Sequence, residues 1–461
     1  MSADVRGLLE DACPGHVVTP EHPAYDRVRL LFNGAHDHRP VAVCLPRNTA
    51  EVRAAVLAAQ QTGLPAAVRG GGHNVAGAGS ADGGVVIDLR LLDQVRVDPD
   101  SRTAQVGGGA VWADVDLAAG AHQLATTGGT FDDTGVGGLT LGGGIGHLMG
   151  RYGLTCDNVL AYELVTASGE ILTVSPECHP EIDWALRGAG HHFGVVTRFT
   201  FRLHHVPLVY GGYVAYPAED PAPAIRLFRD LMQDAPDDLT CTLLLERHGP
   251  MQKPAAVMSV CYAGDDPGYR VTLDKVLRTT LTPLDWRIAD RSYVSMQLCL
   301  GRLPFGLRHY WSARCTTGLP DDLVEGLAER FAAARITDPY NDTVLIEPIH
   351  GAVRSGARVP GAVPFRSARF NITGMAIWDS GLHDADAQQR DWARSVSRLA
   401  EPYSTWGEGY LNYANHEGLT AARGEQTYGP ENFARLRRLK QRLDPDGFFR
   451  SGYSLLPGVT R

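Results

Sequence analysis

The segment that decides the fold is Arg69-Gly70-Gly71-Gly72-His73-Asn74-Val75-Ala76-Gly77, which follows a strand predicted over 66–68. Three consecutive glycines after a strand free several backbone N–H groups to point at one anion. The arginine adds a positive charge, and the histidine comes directly after the turn. The segment lacks the GxxxxGK(S/T) pattern of a P-loop and does not open a helix as GxGxxG does. It therefore predicts an anion-binding turn; the alternative is a tight turn with an incidental histidine.

Two further glycine-rich segments follow at 133–146 and 184–197. The first reads DTGVGGLTLGGGIG and leads into RYGLTCDN at 151–158, and the second reads WALRGAGHHFGVVT. Glycine makes up 52 of the 461 residues, well above the roughly 7% of an average chain. Val, Ile and Leu lie between these glycines, unlike in a flexible linker. We therefore expect the glycines to form turns where the backbone closely approaches another group.

Composition and charge exclude several classes of protein. Hydrophobic residues make up 44% and charged residues 21%, as in a globular chain. The net charge is −9 and the basic residues are scattered, so we expect no nucleic-acid partner. No apolar run reaches the roughly 18 residues of a membrane span, and the N-terminus lacks a signal-peptide pattern. From these two absences we expect no membrane contact and a cytoplasmic location. The eight cysteines show no zinc-like spacing, so we also expect no metal.

The chain changes character near residue 207, after which the predicted strands become longer. Strands are expected at 40–44, 66–68, 84–89, 104–106, 161–166, 241–247, 255–264 and 369–378, with a hairpin turn at 168–170. Helices are expected at 49–62 with Thr49 as the N-cap, and at 110–120, 321–334, 384–400 and 431–443. The pattern predicts an α+β fold in which a mostly antiparallel sheet of the later half is backed by helices.

In this order and spacing, the three glycine-rich segments resemble the FAD-binding domain of berberine bridge enzyme-like oxidases. These belong to the vanillyl alcohol oxidase/p-cresol methylhydroxylase (PCMH) flavoprotein superfamily. The resemblance is strong over 36–206, continues through 357–374, 410–413 and 428–445, and is weakest across 210–350. It implies a PCMH-type FAD-binding domain of two subdomains, formed by 1–206 and completed by a C-terminal segment, 408–461. Residues 207–407 would form a substrate-binding domain whose sheet covers the isoalloxazine ring.

The resemblance also implies roles for individual residues. In this family the histidine that closes the RGGGH turn is bonded to the flavin 8α-methyl carbon, a role that falls to His73. A neutral imidazole nitrogen can add to an activated methyl group if the turn holds it in place. The glycines of the turn would hold the pyrophosphate, segments 134–138 and 142–144 would border the ribityl chain and ring, and 195–196 would contact the adenosine. The implied cofactor-binding residues are His73, Arg69, Gly70, Gly71, Gly72, Asn74, Gly77, Thr134, Gly135, Gly137, Gly138, Gly142, Gly143, Gly144, Gly146, Asp157, Gly194, Val195, Val196 and Asn412.

The sequence departs from the family pattern at several positions. Relatives with a second covalent attachment carry a cysteine just before TGVGG, but 131–133 are Phe-Asp-Asp, which predicts single attachment through His73. Val75 stands where some relatives carry a tyrosine, so no base is available there. The histidines at 191–192 replace smaller residues, and they either donate to cofactor oxygens or lie outside the site. The sequence SGYS at 451–454 replaces a tail that normally lines the flavin pocket.

Oxidation of a substrate requires a base as well as an electron acceptor. Tyr410 is the first candidate, because relatives place this tyrosine near the ring, and Asn412 would orient it or bond the flavin edge. On a strand, these two residues face one side and Tyr413 faces the other. Tyr453 is the second candidate; for each tyrosine the alternative is an interface aromatic with a satisfied hydroxyl. His350 either faces the pocket from the covering sheet or packs in a loop.

The expected function is that of an FAD-dependent oxidase that uses O₂, since no NAD-binding fingerprint supplies another acceptor. Its substrate would be a small molecule, oxidised at an alcohol, amine or phenolic carbon of a secondary metabolite. The changed tail and the histidines at 191–192 also motivate a flavin-dependent cyclase or isomerase with no net oxidation. A third hypothesis is a flavin-binding protein without catalysis, against which a specific pocket covered by a whole domain argues.

Overall fold

The computed structural model describes residues 3–249, 252–335, 340–356, 358–407, 409–415, 417 and 419–456. Its N-terminal part contains α1 (Ala3–Ala12), β1 (Val17–Val18), α2 (Tyr25–Arg29), β2 (Ala42–Cys44), α3 (Thr49–Thr62), β3 (Ala66–Arg69) and β4 (Val85–Asp88). These strands pair in the order β1-β2-β4-β3, and β2, β4 and β3 run parallel. The glycine turn therefore begins at the carboxyl end of a parallel strand, where ligands of open α/β sheets commonly bind.

Helix α3 shows how local sequence sets this part of the fold. Its N-cap is Asn48, whose side chain accepts a hydrogen bond from the Glu51 N–H. The prediction of Thr49 as the cap was wrong by one residue, and asparagine is the stronger capping residue of the two. The helix ends at Gly63, whose positive φ of 67° suits a glycine. Val52 and Val56 on its inner face pack against the strands of the first sheet.

The second sheet is antiparallel, with strand order β5-β6-β10-β8-β9. This part contains β5 (Val95–Asp98), β6 (Thr103–Gly107), α4 (Trp112–Gly120), β7 (Leu124–Ala125), α5 (Val136–Leu141), α6 (Met149–Tyr152), β8 (Val159–Val165), β9 (Ile171–Val174), α7 (Pro180–Ala189), β10 (Val195–Arg202) and β11 (His204–His205). Strands β8 and β9 form the predicted hairpin. Aromatic side chains fill the core beneath the sheet, among them Trp112, Phe199 and Phe201.

The third sheet has eight antiparallel strands in the order β15-β12-β14-β13-β18-β19-β17, with β16 paired to β12. Its strands are β12 (Val209–Pro217), β13 (Leu239–His248), β14 (Lys253–Tyr262), β15 (Asp285–Trp286), β16 (Ala289–Arg291), β17 (Arg308–Thr316), β18 (Tyr340–Pro348) and β19 (Phe370–Trp378). The accompanying helices are α8 (Ala222–Gln233), α9 (Pro267–Thr279), α10 (Tyr293–Gln297), α11 (Asp321–Ala332), α12 (Ala352–Ser355) and α13 (Asp386–Leu399). The predicted α+β class, with a mostly antiparallel sheet backed by helices, is confirmed.

The two faces of the third sheet pack against different parts of the chain. Val344 and Ile346 of β18 point into the core formed with α8, α11 and α13. Leu345, between them, lies on the opposite face, in a cluster with Phe32 and Val75 of the N-terminal part. This alternation follows from the two-residue period of a strand. The sheet therefore lies over the region of the glycine turn.

The C-terminal segment returns to the second sheet. Helices α14 (Ala421–Tyr428) and α15 (Pro430–Leu443) follow a 3₁₀ turn at Leu411–Tyr413. Leu436 and Leu439 of α15 join the core of the second sheet. Outside 410–413, the predicted helices and strands are found within two residues of their predicted ends. No helix in the described part of the chain is both long enough and apolar enough to span a membrane.

Candidate active site

A cleft of about 1000 Å³ lies where the glycine turn, the segment after β7 and the third sheet meet. The residues that line it include Arg69, Gly70, Gly71, Gly72, His73, Asn74, Thr130, Phe131, Thr134, Gly135, Gly138, Leu139, Ile145, His191, Leu303, Trp311, Tyr410, Asn412, Tyr413 and Ser451. Most of the residues predicted from the first glycine segment are therefore brought together in one site.

The first two glycine segments touch each other through bare backbone. A Cβ added to Gly71 would lie 2.6 Å from both the Cα and the N of Gly135. Among the described residues, the N–H groups of Gly71, Gly72, His73 and Asn74 find no hydrogen-bond acceptor. A run of amides left without protein partners along a cleft is the arrangement that binds a phosphate group. The cleft therefore fits a cofactor that carries a pyrophosphate.

Arg69 does not supply its charge to this site. Its Nη1 donates to the carbonyl oxygens of Val28 and Leu30 at 2.8 and 3.1 Å. Its Nε lies 3.1 Å from Oδ2 of Asp88 on the neighbouring strand, and both side chains are buried. The arginine thus holds the start of the turn in place and pairs with Asp88, which also pairs with Arg90. The anion-binding capacity of the turn comes from its backbone.

His73 lines the cleft with a side chain that is 18% exposed. Its Nε2 lies 3.6 Å from Oδ2 of Asp133, the first residue of the segment 133–146. A carboxylate on this side favours the tautomer that carries its proton on Nε2. That tautomer leaves a lone pair on Nδ1, the form of imidazole that can act as a nucleophile.

Tyr410 and Tyr413 lie on the same side of the chain, contrary to the strand-based prediction. Residues 411–413 form a 3₁₀ turn, and with three residues per turn positions i and i+3 coincide. The two rings are 4.8 Å apart, and Trp311 packs against Tyr413 at 5.1 Å. These three rings form an aromatic wall in the cleft. The assumption of a strand at this point was therefore wrong.

The hydroxyl of Tyr410 is held by two donors. It accepts hydrogen bonds from Asn412 Nδ2 at 2.8 Å and from the Ile145 N–H at 3.2 Å. Burial raises the pKa of Tyr410 above its ordinary value, and these donors offset only part of that effect. The residue therefore keeps its proton, which it can donate into the cleft. This arrangement suits the orientation of a substrate better than the removal of its proton.

Glu347 is a functional candidate that the sequence analysis missed. Its Oε1 accepts a hydrogen bond from the Tyr413 hydroxyl at 3.0 Å, and its Oε2 accepts one from Asn371 Nδ2 at 2.9 Å. The side chain is 1% exposed. Burial raises its pKa to about 7, against the lowering effect of these two hydrogen bonds. A carboxyl group with a pKa near neutrality is suited to general base catalysis.

Several predicted site residues lie outside the lining of the cleft, where many of them serve packing. Gly142 allows the close approach of Asn412, since an added Cβ would lie 2.0 Å from its Oδ1. Asp157 forms an ion pair with Arg366. The others outside this lining are Gly77, Gly137, Gly143, Gly144, Gly146, Gly194, Val195 and Val196. Val195 and Val196 are buried in hydrophobic cores.

Three more residues singled out in the sequence lie away from the cleft lining: Tyr453, His350 and His192. Tyr453 is buried against Tyr428, and its hydroxyl accepts a hydrogen bond from Thr427 at 3.3 Å. The structure thus places it in the core of the second sheet. His350 packs against Gly150, where an added Cβ would lie 2.6 Å from the imidazole ring. His192 is buried beside Gly452, whereas His191 lines the cleft and its Nε2 lies 3.0 Å from the Gly138 oxygen.

Comparison with known proteins agrees with this cleft and fold. Residues 40–175 match the family model of the FAD binding domain, and residues 409–455 match the model described as berberine and berberine like. The chain is 38% identical to the FAD-dependent monooxygenase FUP4 of Fusarium proliferatum, over 91% of this chain and 84% of that protein. It is 29% identical to (R)-6-hydroxynicotine oxidase of Paenarthrobacter nicotinovorans, over 96% of this chain and 97% of that protein.

A solved structure shows the same architecture. The crystal structure of 6-hydroxy-D-nicotine oxidase from Arthrobacter nicotinovorans superimposes with a TM-score of 0.85 at 27% identity, covering 96% of this chain and 98% of that one. The chain therefore belongs to the berberine bridge enzyme-like family, within the PCMH-type flavoproteins. It is an FAD-linked oxidoreductase, and the prediction of FAD as its cofactor is confirmed.

Proposed function

We propose that this protein is an FAD-dependent oxidase that acts on a small molecule, passes its electrons to O₂ and holds FAD through one covalent bond to His73. The observation that carries the proposal is the hydrogen bond from Tyr413 to the buried Glu347, because Tyr413 lines the same cleft as the amide-rich glycine turn. Bound FAD supplies the acceptor for the two electrons of the substrate. We further propose that 1–206 and 408–461 hold FAD and that 207–407 bind substrate.

The chain's own residues divide the remaining work. The amides after Arg69 bind the pyrophosphate, and Asn412 with the Ile145 N–H fixes the Tyr410 hydroxyl as a donor to the substrate. Tyr413 takes the substrate O–H or N–H proton and passes its own to Glu347 along the 3.0 Å hydrogen bond. This transfer requires ionised Glu347, and its pKa of about 7 makes that form available near neutral pH. The third sheet lies over the region of the glycine turn.

The residues that line the cleft favour a substrate with a flat, largely apolar body. Trp311, Tyr410, Tyr413 and Phe131 offer ring faces and edges, and no lysine is among the described residues that line the cleft. Aromatic walls bind planar groups and, through their faces, cationic amines. An alcohol, amine or phenolic carbon of a secondary metabolite has this character, and one relative is named for a hydroxynicotine. A cytoplasmic location is part of the same proposal.

Anaerobic mixing tests the oxidase function. A substrate of the oxidase should bleach the absorbance of the flavin without O₂, and admission of air should restore the colour and release hydrogen peroxide. Product formed without bleaching and without O₂ uptake would instead indicate the cyclase or isomerase. If no compound in a panel of alcohols, amines and phenols bleaches the flavin or forms product, the oxidase function has no support.

Replacement of His73 by alanine should abolish covalent attachment while leaving FAD bound. In wild-type protein precipitated with acid, we expect the yellow colour in the pellet, because the cofactor is bonded to the chain. In the His73→Ala variant all flavin should appear in the supernatant. His122→Ala, a change at an exposed histidine, serves as the control and should behave as wild type. Acid-stable flavin in His73→Ala would contradict the assignment of the attachment site.

A further inference from the structure

The imidazole of His73 belongs to a stack of three rings. Phe32 lies between His73 and His309, with centroid distances of 4.4 and 4.3 Å and interplanar angles of 13° and 32°. Phe32 is 1% exposed, and His309 lies at the start of β17 in the covering sheet. Parallel stacking restricts the rotation of the His73 ring, since a turned ring would lose the contact with Phe32. The stack therefore links the plane of His73 to the covering sheet.

Residues 32 and 33 also hold the backbone on both sides of His73. The Phe32 N–H donates to the Gly72 oxygen at 3.2 Å, and Asn33 Nδ2 donates to the Val75 oxygen at 2.7 Å. The same Asn33 amide bonds the backbone of His309 twice, since Nδ2 donates to its oxygen at 2.8 Å and Oδ1 accepts from its N–H at 2.8 Å. Asn33 is buried. One side chain thus ties the turn that carries His73 to strand β17.

Among the described residues, Asp133 is the acidic group that forms an ion-pair contact with His73. Burial lowers the pKa of His309 to about 4, so this ring is neutral and adds no positive charge. Asp133 faces Nε2 of His73, and its Oδ1 is buried without a hydrogen-bond partner among the described residues. The adjacent Asp132 is held by Arg302 through a bidentate ion pair at 2.7 and 2.6 Å. The carboxylate of Asp133 is therefore placed by a loop that is fixed to the covering domain.

We propose that Phe32 and Asn33 are positioning residues for covalent attachment of the cofactor, which fix the His73 ring with Nε2 toward Asp133 and Nδ1 toward the 8α carbon. The proposal rests on the covalent role proposed for His73. A bond forms between Nδ1 and the 8α carbon, one C–H bond of that carbon breaks, and Asp133 receives the Nε2 proton. The two electrons and two protons released reduce O₂ to hydrogen peroxide, so the cofactor ends oxidised and attached.

The rate of attachment tests this proposal. Apoprotein prepared from riboflavin-starved cells is mixed with FAD in air, and acid-insoluble flavin is measured over time next to total bound FAD. A 1 Å misplacement of a reacting group can slow a reaction about 100-fold. We therefore expect Phe32→Leu to slow attachment by about 10- to 100-fold with total FAD binding retained. Phe228→Leu, which also removes a buried ring from an aromatic pair, should attach FAD at the wild-type rate.

Two further variants make the outcome decisive. Asn33→Ala should slow attachment in the same way, because the turn loses its tie to β17, and Asp133→Asn should slow it by removing the proton acceptor. Wild-type rates in Phe32→Leu and Asn33→Ala would overturn the positioning role. Should Phe32→Leu fail to fold, as circular dichroism would show, Asn33→Ala and Asp133→Asn decide the question. Acid-stable flavin in His73→Ala would instead refute the attachment site itself, which is a separate result.

Discussion

Replacement of Glu347 by glutamine should lower kcat/KM by about 10²- to 10⁴-fold, the range for loss of a general base. Glutamine fills the same volume and still accepts the Tyr413 hydrogen bond, but it cannot take up a proton. Tyr413 then has no group to which its proton can pass, and the transfer proposed for the cleft stops at the phenol. The measurement is the rate of anaerobic flavin bleaching, with the substrate that bleaches the wild-type protein.

The Glu347→Gln substitution should also change the pH dependence of kcat/KM. In the wild-type protein kcat/KM should rise as the pH rises through about 7, because the base must be ionised. Burial raises the pKa of Glu347 from 4.5 to about 7, so its contribution to stability is complete below pH 4.5 and is lost as the pH rises through 7. That loss amounts to about 3 kcal/mol at pH 8. Glu347→Gln should therefore lose the pH-dependent rise in rate and be at least as stable as wild type at pH 8.

A second buried acid on the same strand provides the control. Asp342 is fully buried on β18, where burial raises its pKa to about 6, and it bonds Gln389 on the helical side of the sheet. Asp342→Asn should leave the pH profile of kcat/KM unchanged. Retention of the wild-type rate and pH profile by Glu347→Gln would show that another group removes the proton, and Tyr410→Phe would then be the next variant to measure.

The close contact between the first two glycine segments could be predicted because glycine turns are local. Gly71 and Gly135 lie where the backbones of two short segments touch, and a side chain at either position would clash. Such a contact permits only glycine, so it is visible in the sequence. At Tyr413 the strand prediction was wrong, since a 3₁₀ turn cannot be told from a strand over four residues. The Tyr410 hydroxyl there accepts a hydrogen bond from the Ile145 N–H, which is distant in sequence. Tyr453 was placed wrongly for a related reason, because the tail after α15 folds back into the core.

Glu347 was missed because its role depends on which face of a strand is covered. Along β18, Val344 and Ile346 face the helices, whereas Leu345 and Glu347 face the other way. A polar residue at the end of an apolar strand is indistinguishable, in sequence, from one that meets solvent. The 3₁₀ turn of the C-terminal segment covers that face of the strand. Its residues lie more than sixty positions later in the chain. The signal that could have found it is the strand period combined with the position of Tyr413.

Replacement of Gly71 by alanine should lower both stability and FAD content. The new Cβ would lie 2.6 Å from the Cα and N of Gly135, atoms of a backbone that has no rotamer to move away. Overpacking of this kind costs about 1–3 kcal/mol, and separation of the two segments also displaces the amides that bind pyrophosphate. We expect a lower urea midpoint for the apoprotein and a smaller ratio of flavin to protein absorbance after purification.

Gly138→Ala separates these two effects. A Cβ at Gly138 would meet no protein atom within 4 Å, and the residue lines the cleft. Its methyl group would occupy space proposed for the cofactor, so FAD content should fall, while the urea midpoint of the apoprotein should not fall, because alanine suits a helix better than glycine. Gly318→Ala, which also has open space around it but lies in the third sheet's domain, should change neither quantity. Equal stability of Gly71→Ala and wild type would mean that the two glycine segments do not need their close contact.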